Sequence, residues 1–205
     1  MKILFDTQIY DWQISGGISR YFTEVINRLD NDPQIDIQFK CRHTYNRYIQ
    51  NSKWLELKPI AKGLEIKGKL RLIKYLNQYL NRKYSNKILK GAATDVFHPT
   101  YYDPYFLKFL GKTAFVLTVH DLTTEKLQNG EPKTKEILEW KERLIHRADH
   151  IIAVSENTRK DIIDFYKVNN SKISTAYLAS NLLQNNKNEI VEQISLPKQY
   201  ILFLG

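Results

Sequence analysis

Cysteine is almost absent from the sequence, and its scarcity limits the kinds of protein that this chain can be. Cys41 is the one cysteine among 205 residues, so no disulfide can form within the chain and no cluster of thiolates can hold a metal. Disulfide-stabilised secreted domains and zinc-ribbon proteins are therefore excluded. A lone thiol is typical of a reducing compartment, and we expect a cytoplasmic protein.

Long apolar runs are missing as well. The amino terminus reaches Asp6 after a short apolar stretch, and no run approaches the ~18 residues that a membrane span requires. We therefore expect neither a secretory signal nor a membrane-spanning helix. Hydrophobic residues nevertheless make up 42% of the chain and charged residues 26%, which is typical of a folded globular domain.

Positive charge is concentrated in one segment. The chain carries a net charge of +9, and the segment from Lys62 to Lys90 holds nine basic residues against the single acidic residue Glu65, or nine minus one, which is +8. A nucleic-acid-binding protein would more typically spread its basic residues along a groove or a recognition helix. The clustering indicates one contact face for an anionic partner, and we expect no nucleic acid among the partners.

The order of the apolar patterns predicts the fold. Strand-like runs cover residues 2–5, 35–41, 95–98, 114–119 and 151–154. Apolar residues recur at helical spacing over residues 18–29, 70–80, 133–148 and 156–166. Ser155 stands where it can cap the last of these helices. Because strands that alternate with helices favour parallel pairing, we predict an α/β fold with a doubly wound, mostly parallel, Rossmann-like sheet.

The basic segment has a helical pattern of its own. An apolar stripe runs along one side of it, formed by Leu70, Ile73, Leu76, Tyr79 and Leu80. One interpretation is a helix that packs this stripe on the sheet and turns a solvated basic face outward. The other is contact with an anionic membrane surface, where each basic residue near the lipid contributes ~1 kcal/mol. The candidate membrane contacts are Lys67, Lys69, Arg71 and Lys74.

The last part of the sequence predicts a domain boundary. Residues 181–199 are rich in Asn, Gln, Lys and Glu, which is typical of a linker. Residues 200–205 have the composition of a buried strand, and this strand could be the last of the sheet or the first of a second domain. We favour the second domain, and we assign residues 1–180 to an amino-terminal domain that precedes it.

A pair of glycines marks the first candidate binding site. Gly16-Gly17 stands before the helix at 18–29, where free backbone N–H groups and the helix dipole can receive a phosphate or a sugar hydroxyl. The spacing lacks the third glycine of a dinucleotide fingerprint and the Lys-Ser/Thr of a P-loop. A plain glycine turn that leads into a helix is the alternative.

Polar and aromatic side chains lie at the ends of two other predicted strands. His120 and Asp121 follow the run at 114–119. His98 ends the run at 95–98, and Tyr101 comes soon after it. Open parallel sheets bind ligands at this edge, so an imidazole could hydrogen-bond a sugar and a tyrosine could stack on it. A local His–Asp hydrogen bond and the packing of an aromatic loop are the alternatives.

Signatures of hydrolases and metalloenzymes are missing. Asp30-Asn31-Asp32 resembles a metal-binding Asp-x-Asp, but it ends a helix just before Pro33, so we predict a turn there. No serine lies in a Gly-x-Ser-x-Gly elbow, and no pair of cysteines is available for a metal site. We therefore expect no metal and no other cofactor.

Four motifs together resemble a known enzyme family. They are Gly16-Gly17-Ile18-Ser19-Arg20-Tyr21-Phe22, Val96-Phe97-His98-Pro99, Leu117-Thr118-Val119-His120-Asp121-Leu122, and Arg147-Ala148-Asp149-His150-Ile151-Ile152-Ala153-Val154-Ser155-Glu156-Asn157-Thr158. In this order they resemble glycosyltransferase family 4, retaining enzymes of the GT-B fold with two Rossmann-like domains. The segment from Lys172 to Ala179 is similar to the strand that follows in the family.

The resemblance implies how the two domains share the binding of the acceptor and the nucleotide sugar. The amino-terminal domain would receive the acceptor, and a second domain would hold most of the nucleotide sugar. The nucleotide sugar is a substrate and not a cofactor, and its reaction would need no metal. His120 would contact the transferred sugar as the catalytic candidate. The candidate substrate-binding residues are Gly16, Gly17, His98, Tyr101, Asp121 and Ser155. Residues 1–205 without a second domain should be inactive.

The resemblance also implies a reaction and a setting. The enzyme would move a hexosyl group, such as mannosyl, to a glycan or lipid-linked glycan in polysaccharide or lipopolysaccharide biosynthesis. It would work in the cytoplasm, peripherally on the inner face of the membrane. The alternative is a non-catalytic basic α/β module that binds an anionic membrane surface or nucleic acid.

Overall fold

Six parallel strands form the sheet around which the chain folds. The structure is a computed structural model, and it describes residues 1–56, 69–127 and 132–179. The strands are β1 (Lys2–Phe5), β2 (Asp36–Gln38), β3 (Val96–His98), β4 (Ala114–Val119), β5 (His150–Ala153) and β6 (Ile173–Thr175). They lie in the order β2-β1-β3-β4-β5-β6, and every neighbouring pair is parallel. The predicted doubly wound parallel sheet is confirmed.

Helices connect the strands and cover both faces of the sheet. They are α1 (Gln8–Trp12), α2 (Gly17–Leu29), α3 (Lys69–Lys90), α4 (Thr123–Leu127), α5 (Pro132–Arg147) and α6 (Glu156–Tyr166), with short 3-10 helices at Pro104–Phe109 and Asn170–Lys172. Alternate residues of β1 enter two separate apolar clusters. Leu4 packs with residues of α5 and α6, whereas Ile3 and Phe5 pack with residues of α2. Both faces of the sheet are therefore buried, as expected for parallel strands.

Local sequence signals give the right bounds for several elements. Ser155 Oγ accepts a hydrogen bond from Thr158 N at 3.1 Å, so the predicted cap of α6 is present. The run at 114–119 forms β4 over the same residues. In both cases the sequence signal lies within a few neighbouring residues.

Other elements differ from the prediction. The polar stretch after β1 contains α1, and the stretch after β4 contains α4; each has five residues, too few for a helical period to stand out. β2 is shorter than the run at 35–41, because Cys41 leaves the strand and forms an isolated bridge with Leu55. β6 likewise ends at Thr175, short of the predicted Ala179.

Part of the apolar stripe predicted for α3 does not pack on the sheet. Leu76 and Tyr79 are 52% and 64% exposed, so the interpretation in which the stripe packs on the sheet is wrong for these two residues. The buried side of α3 carries Asn81, whose Oδ1 accepts a hydrogen bond from Arg42 N at 2.8 Å and whose Nδ2 donates to Asp11 Oδ1 at 3.2 Å. These polar contacts set the rotation of the helix about its axis.

Three of the sequence-based predictions concern residues that the structure does not describe. The linker predicted at 181–199, the strand predicted at 200–205 and Lys67 lie outside the described residues. Across residues 1–56, 69–127 and 132–179, no helix combines the length and the apolar character needed to cross a membrane.

A buried ion pair joins α4 to the helices beside it. Lys141 Nζ lies 2.7 Å from Glu125 Oε1, and the two side chains are 5% and 1% exposed. Tyr166 of α6 donates its hydroxyl to the same oxygen at 2.6 Å. Side chains from three helices thus meet at one carboxylate. The positive charge of Lys141 and the negative charge of Glu125 compensate each other where neither group reaches water.

We predict that breaking this pair destabilises the domain far more than breaking an exposed one. Lys141→Ala leaves Glu125 buried without its counter-ion and should lower the free energy of unfolding by ~3–5 kcal/mol. The matched control is Lys126→Ala, which removes the exposed Lys126–Asp161 pair and should cost at most ~1 kcal/mol. Urea denaturation of the variants measures both, and equal losses would contradict the account.

Candidate functional site

The strand order places a crevice at the carboxyl edge of the sheet. From β1 the chain first adds β2 on one side and then β3 on the other, so the order reverses between β1 and β3. In open parallel sheets, ligands bind outside the carboxyl ends of the strands at such a switch point. The loops after β1, β3 and β4 all begin at this edge.

Asp6 is a buried carboxyl group at this edge of the sheet. It follows β1, is 1% exposed, and accepts hydrogen bonds from Thr100 N at 2.8 Å, Thr100 Oγ1 at 2.8 Å, Gln8 Nε2 at 2.7 Å and the Tyr105 hydroxyl at 3.1 Å. Burial raises the pKa of this carboxyl, and the hydrogen bonds from Thr100 and Gln8 oppose that effect. The sequence analysis missed its role, although an acidic residue directly after a buried strand was the available signal.

His120 follows β4 and has a free nitrogen. Its ring lies against two rings of α2, with centroids 5.1 Å from Tyr21 and 6.1 Å from Phe22. His120 Nε2 is buried and has no hydrogen-bond partner among the described residues. Burial lowers the pKa of the imidazole to about 4, so at pH 7 the ring is neutral. It can therefore give or accept one hydrogen bond without carrying charge.

The first turn of α2 lies beside His120. The side chain of Gln13 fills the space next to Gly16, where an added Cβ would lie 2.5 Å from Gln13 Oε1, and that oxygen accepts from Ser19 N at 3.2 Å. Gly17, in contrast, faces open space. Within the described chain nothing bonds the backbone N–H groups of Gly17 and Ile18. These two donors stay available at the positive end of the helix dipole.

A small cleft brings several predicted residues together. It has a volume of about 90 Å³, and its lining includes Ile18, Tyr101, His120, Asp121 and Lys141. Asp121 Oδ1 accepts from Thr123 N at 3.0 Å, so the side chain caps the start of α4 and makes no local pair with His120. Lys141 Nζ donates to Asp121 O at 2.6 Å and fixes the loop. The cleft thus joins the ends of β3 and β4 to the start of α2.

An aromatic pair borders the cleft. The rings of Trp12 and Tyr101 lie 5.4 Å apart at 36°, and Trp12 is 47% exposed. Trp12 lies on α1, in the stretch predicted as polar loop, and so escaped the sequence analysis. A tryptophan beside a predicted glycine site was the available signal.

Two predicted substrate-binding residues hold structural positions. His98 is 7% exposed, with Nε2 2.9 Å from Thr118 Oγ1, and burial lowers its pKa to about 3. It supports the ring of Phe22, on which His120 also rests. Ser155 caps α6 through Thr158, whose Oγ1 donates to His120 O at 3.3 Å. A direct contact of either residue with a sugar stays a prediction.

The candidate membrane contacts within the described residues belong to α3. Lys69, Arg71 and Lys74 lie in the first two turns of α3. Over the described ranges, no three His, Cys, Asp or Glu side chains gather as a metal site would require. A larger open hollow of about 440 Å³ lies beside β2, but its Lys53 is paired with Asp30, so its charges are compensated locally.

We predict that His120 stays neutral until strongly acidic pH. Since its folded-state pKa of about 4 lies below the ordinary 6.5, its contribution to stability is complete above pH 6.5 and is lost as the pH falls towards 4. Titration of the histidine resonances by NMR, assigned with His120→Gln, measures this pKa. A His120 that titrates above pH 6 would contradict the burial argument.

The cleft residues fall within a recognised family domain. The sequence profile of Glycosyltransferase Family 4 matches residues 15–179. No curated protein matches the chain. The matched range holds the start of α2, the loop after β3 and His120, so the predicted resemblance is confirmed over most of the chain. The chain belongs to glycosyltransferase family 4.

Proposed function

We propose that this domain is the acceptor-side half of a retaining glycosyltransferase, which moves a hexosyl group from a nucleotide sugar to a glycan or lipid-linked glycan. Membership in the family supports sugar transfer in general. The choice of a hexosyl donor, such as a mannosyl nucleotide, and of a polysaccharide or lipopolysaccharide pathway is part of the proposal. So is a cytoplasmic location without a metal requirement.

The observation that carries the proposal is the unpartnered Nε2 of His120 beside the open start of α2. When a nucleotide sugar reacts, negative charge develops on the departing diphosphate. The N–H groups of Gly17 and Ile18, aligned with the helix dipole, are fixed donors for that charge and need no rearrangement during the reaction. Their role is to stabilise the leaving group.

His120 would act on the sugar itself. A neutral imidazole at this position can hydrogen-bond a hydroxyl of the transferred sugar, and the rings of Tyr21 and Phe22 hold its orientation. The bond would strengthen as the ring carbon gains positive character and the sugar hydroxyls polarise. A charged imidazolium would oppose that positive character, so the low pKa suits the role.

The acceptor would enter over the aromatic pair. Trp12 and Tyr101 present ring faces at the border of the cleft, and a sugar ring packs well on such faces. Asp121 is exposed next to them and could accept a hydrogen bond from an acceptor hydroxyl. We propose that the donor's nucleotide binds mainly to a second domain, which would close over this edge and exclude water.

We predict that His120→Ala, in an enzyme that includes the donor-binding domain, lowers turnover by ~100-fold while the fold survives. The lost hydrogen bond acts on the transition state, so kcat should fall more than KM changes. His150→Ala is the matched control, because His150 starts β5 at the opposite edge of the sheet. Turnover is measured as sugar transfer at saturating donor, and an unchanged kcat in His120→Ala would assign the imidazole to packing alone.

A further inference from the structure

The loop that carries His120 is held by side chains from two neighbouring helices. Thr158 of α6 donates through Oγ1 to His120 O at 3.3 Å, and Lys141 of α5 donates through Nζ to Asp121 O at 2.6 Å. Two successive carbonyl groups of the loop are therefore fixed, the first by a hydroxyl and the second by an ammonium group. Because a hydrogen bond from a charged donor is the stronger kind, Lys141 supplies the stronger of these two restraints.

Lys141 also binds the helix that follows the loop. Its Nζ lies 2.7 Å from Glu125 Oε1 on α4 and 5.1 Å from the ring centre of Tyr102, and the side chain is 5% exposed. One ammonium group thus bonds both the loop, at Asp121, and α4, at Glu125. The main chain beside His120 cannot shift relative to α5 without breaking a bond from a buried charge.

A structural ion pair is the simpler account of Lys141. Helix α4 is already joined to α6, however, because the Tyr166 hydroxyl donates to Glu125 Oε1 at 2.6 Å. Taking an ammonium and a carboxylate group out of water costs free energy, and apolar residues of similar volume often stabilise a fold equally well. The ion pair does not account for the bond to Asp121 O, and Lys141 lines the same cleft as His120. These two observations point to a role in the site.

Lys141 also acts on the charge of the imidazole. The titratable groups that border His120 or its cleft are Tyr21 on α2, His98 at the end of β3, Tyr101 and Tyr102 in the loop after β3, Asp121 beside His120, Glu125 on α4 and Lys141 on α5. Burial is the main cause of the low pKa of His120, the carboxylate of Asp121 raises this pKa, and the positive charge of Lys141 lowers it. Lys141 thus helps to keep the ring neutral.

We propose that Lys141 is a positioning residue for the sugar transfer, because it fixes the main chain beside His120 and sets the electrostatic environment of the imidazole. Glu125 is its counter-ion. The proposal rests on the proposed function, in which His120 bonds the transferred sugar. A displacement of ~1 Å in an active site can lower the rate by ~100-fold, so a restraint on this loop matters for the reaction. The role of Lys141 acts through His120 and requires no contact with the sugar.

NMR titration of the chain tests the proposal without any substrate. Lys141→Met keeps an unbranched side chain beside Tyr102 but removes the charge and the bond to Asp121 O. Because that charge lowers the pKa of His120, its loss should raise the pKa from about 4 towards the ordinary 6.5. The resonance of His120 is assigned with His120→Gln.

A second variant keeps the test valid where Lys141→Met does not fold. Glu125→Gln/Lys141→Met removes both charges of the buried pair, so no buried charge is left without a counter-ion. It also keeps an amide oxygen that can accept the bond from the Tyr166 hydroxyl. This variant should show the same rise in the pKa of His120. Circular dichroism confirms the fold of each variant.

Kinetics measure the effect of Lys141 on the reaction. In an enzyme that includes the proposed donor-binding domain, both variants should lower kcat by ~10-fold or more, whereas KM for the donor should change less. Tyr166→Phe is the matched control, because it removes the other hydrogen bond to Glu125 Oε1 and leaves Lys141 in place. It should destabilise the domain but keep the kcat of the parent and the pKa of His120.

Three results would overturn the proposal: an unchanged kcat in a folded variant without Lys141, an unchanged pKa of His120 in that variant, or an equal loss of kcat in Tyr166→Phe. Failure of the proposed function gives a different result. A parent enzyme that transfers no sugar would refute the function, while a raised pKa would still support the action of Lys141 on His120. Normal transfer by Lys141→Met, together with a large loss in His120→Ala, would keep the function and refute the positioning role.

Discussion

The buried carboxylate of Asp6 holds together the edge of the sheet on which the site depends. It lies where β1 ends, and its hydrogen bonds to Thr100 and Tyr105 tie that end to the loop after β3. Gln8 extends the network, since it bonds both Asp6 and the backbone of Asp103. A carboxylate away from water is stable only with such partners, so these loops cannot move apart without a large loss of free energy.

The same network reaches α3. Asp103, which Gln8 holds, is paired with Arg82, and the nearby Asn81 bonds Asp11 of α1. Hence the aromatic border of the cleft and the rotation of α3 are set by one connected group of polar contacts. The position of α3 and the proposed acceptor entrance therefore depend on the same polar contacts.

The sequence predicted what local patterns determine. β4 is a continuous apolar run and α6 starts at a serine cap, so neighbouring residues were enough to find them. The candidate site could be predicted because His120 and Gly17 come next to predicted elements whose ends meet at one edge. The exposure of Leu76 was not predictable in this way, because the rotation of α3 follows from contacts between residues far apart in the chain, such as Asn81 with Asp11.

The central claim is that this edge of the sheet receives the acceptor of a retaining sugar transfer. The most direct measurement incubates an enzyme that includes the proposed donor-binding domain with a panel of nucleotide sugars and with glycan and lipid-linked acceptors. NMR of the product then gives the anomeric configuration of the new bond. The account predicts transfer of a hexosyl group with retention of the donor's configuration. Transfer with inversion, or no transfer from any donor by a folded enzyme, would contradict it.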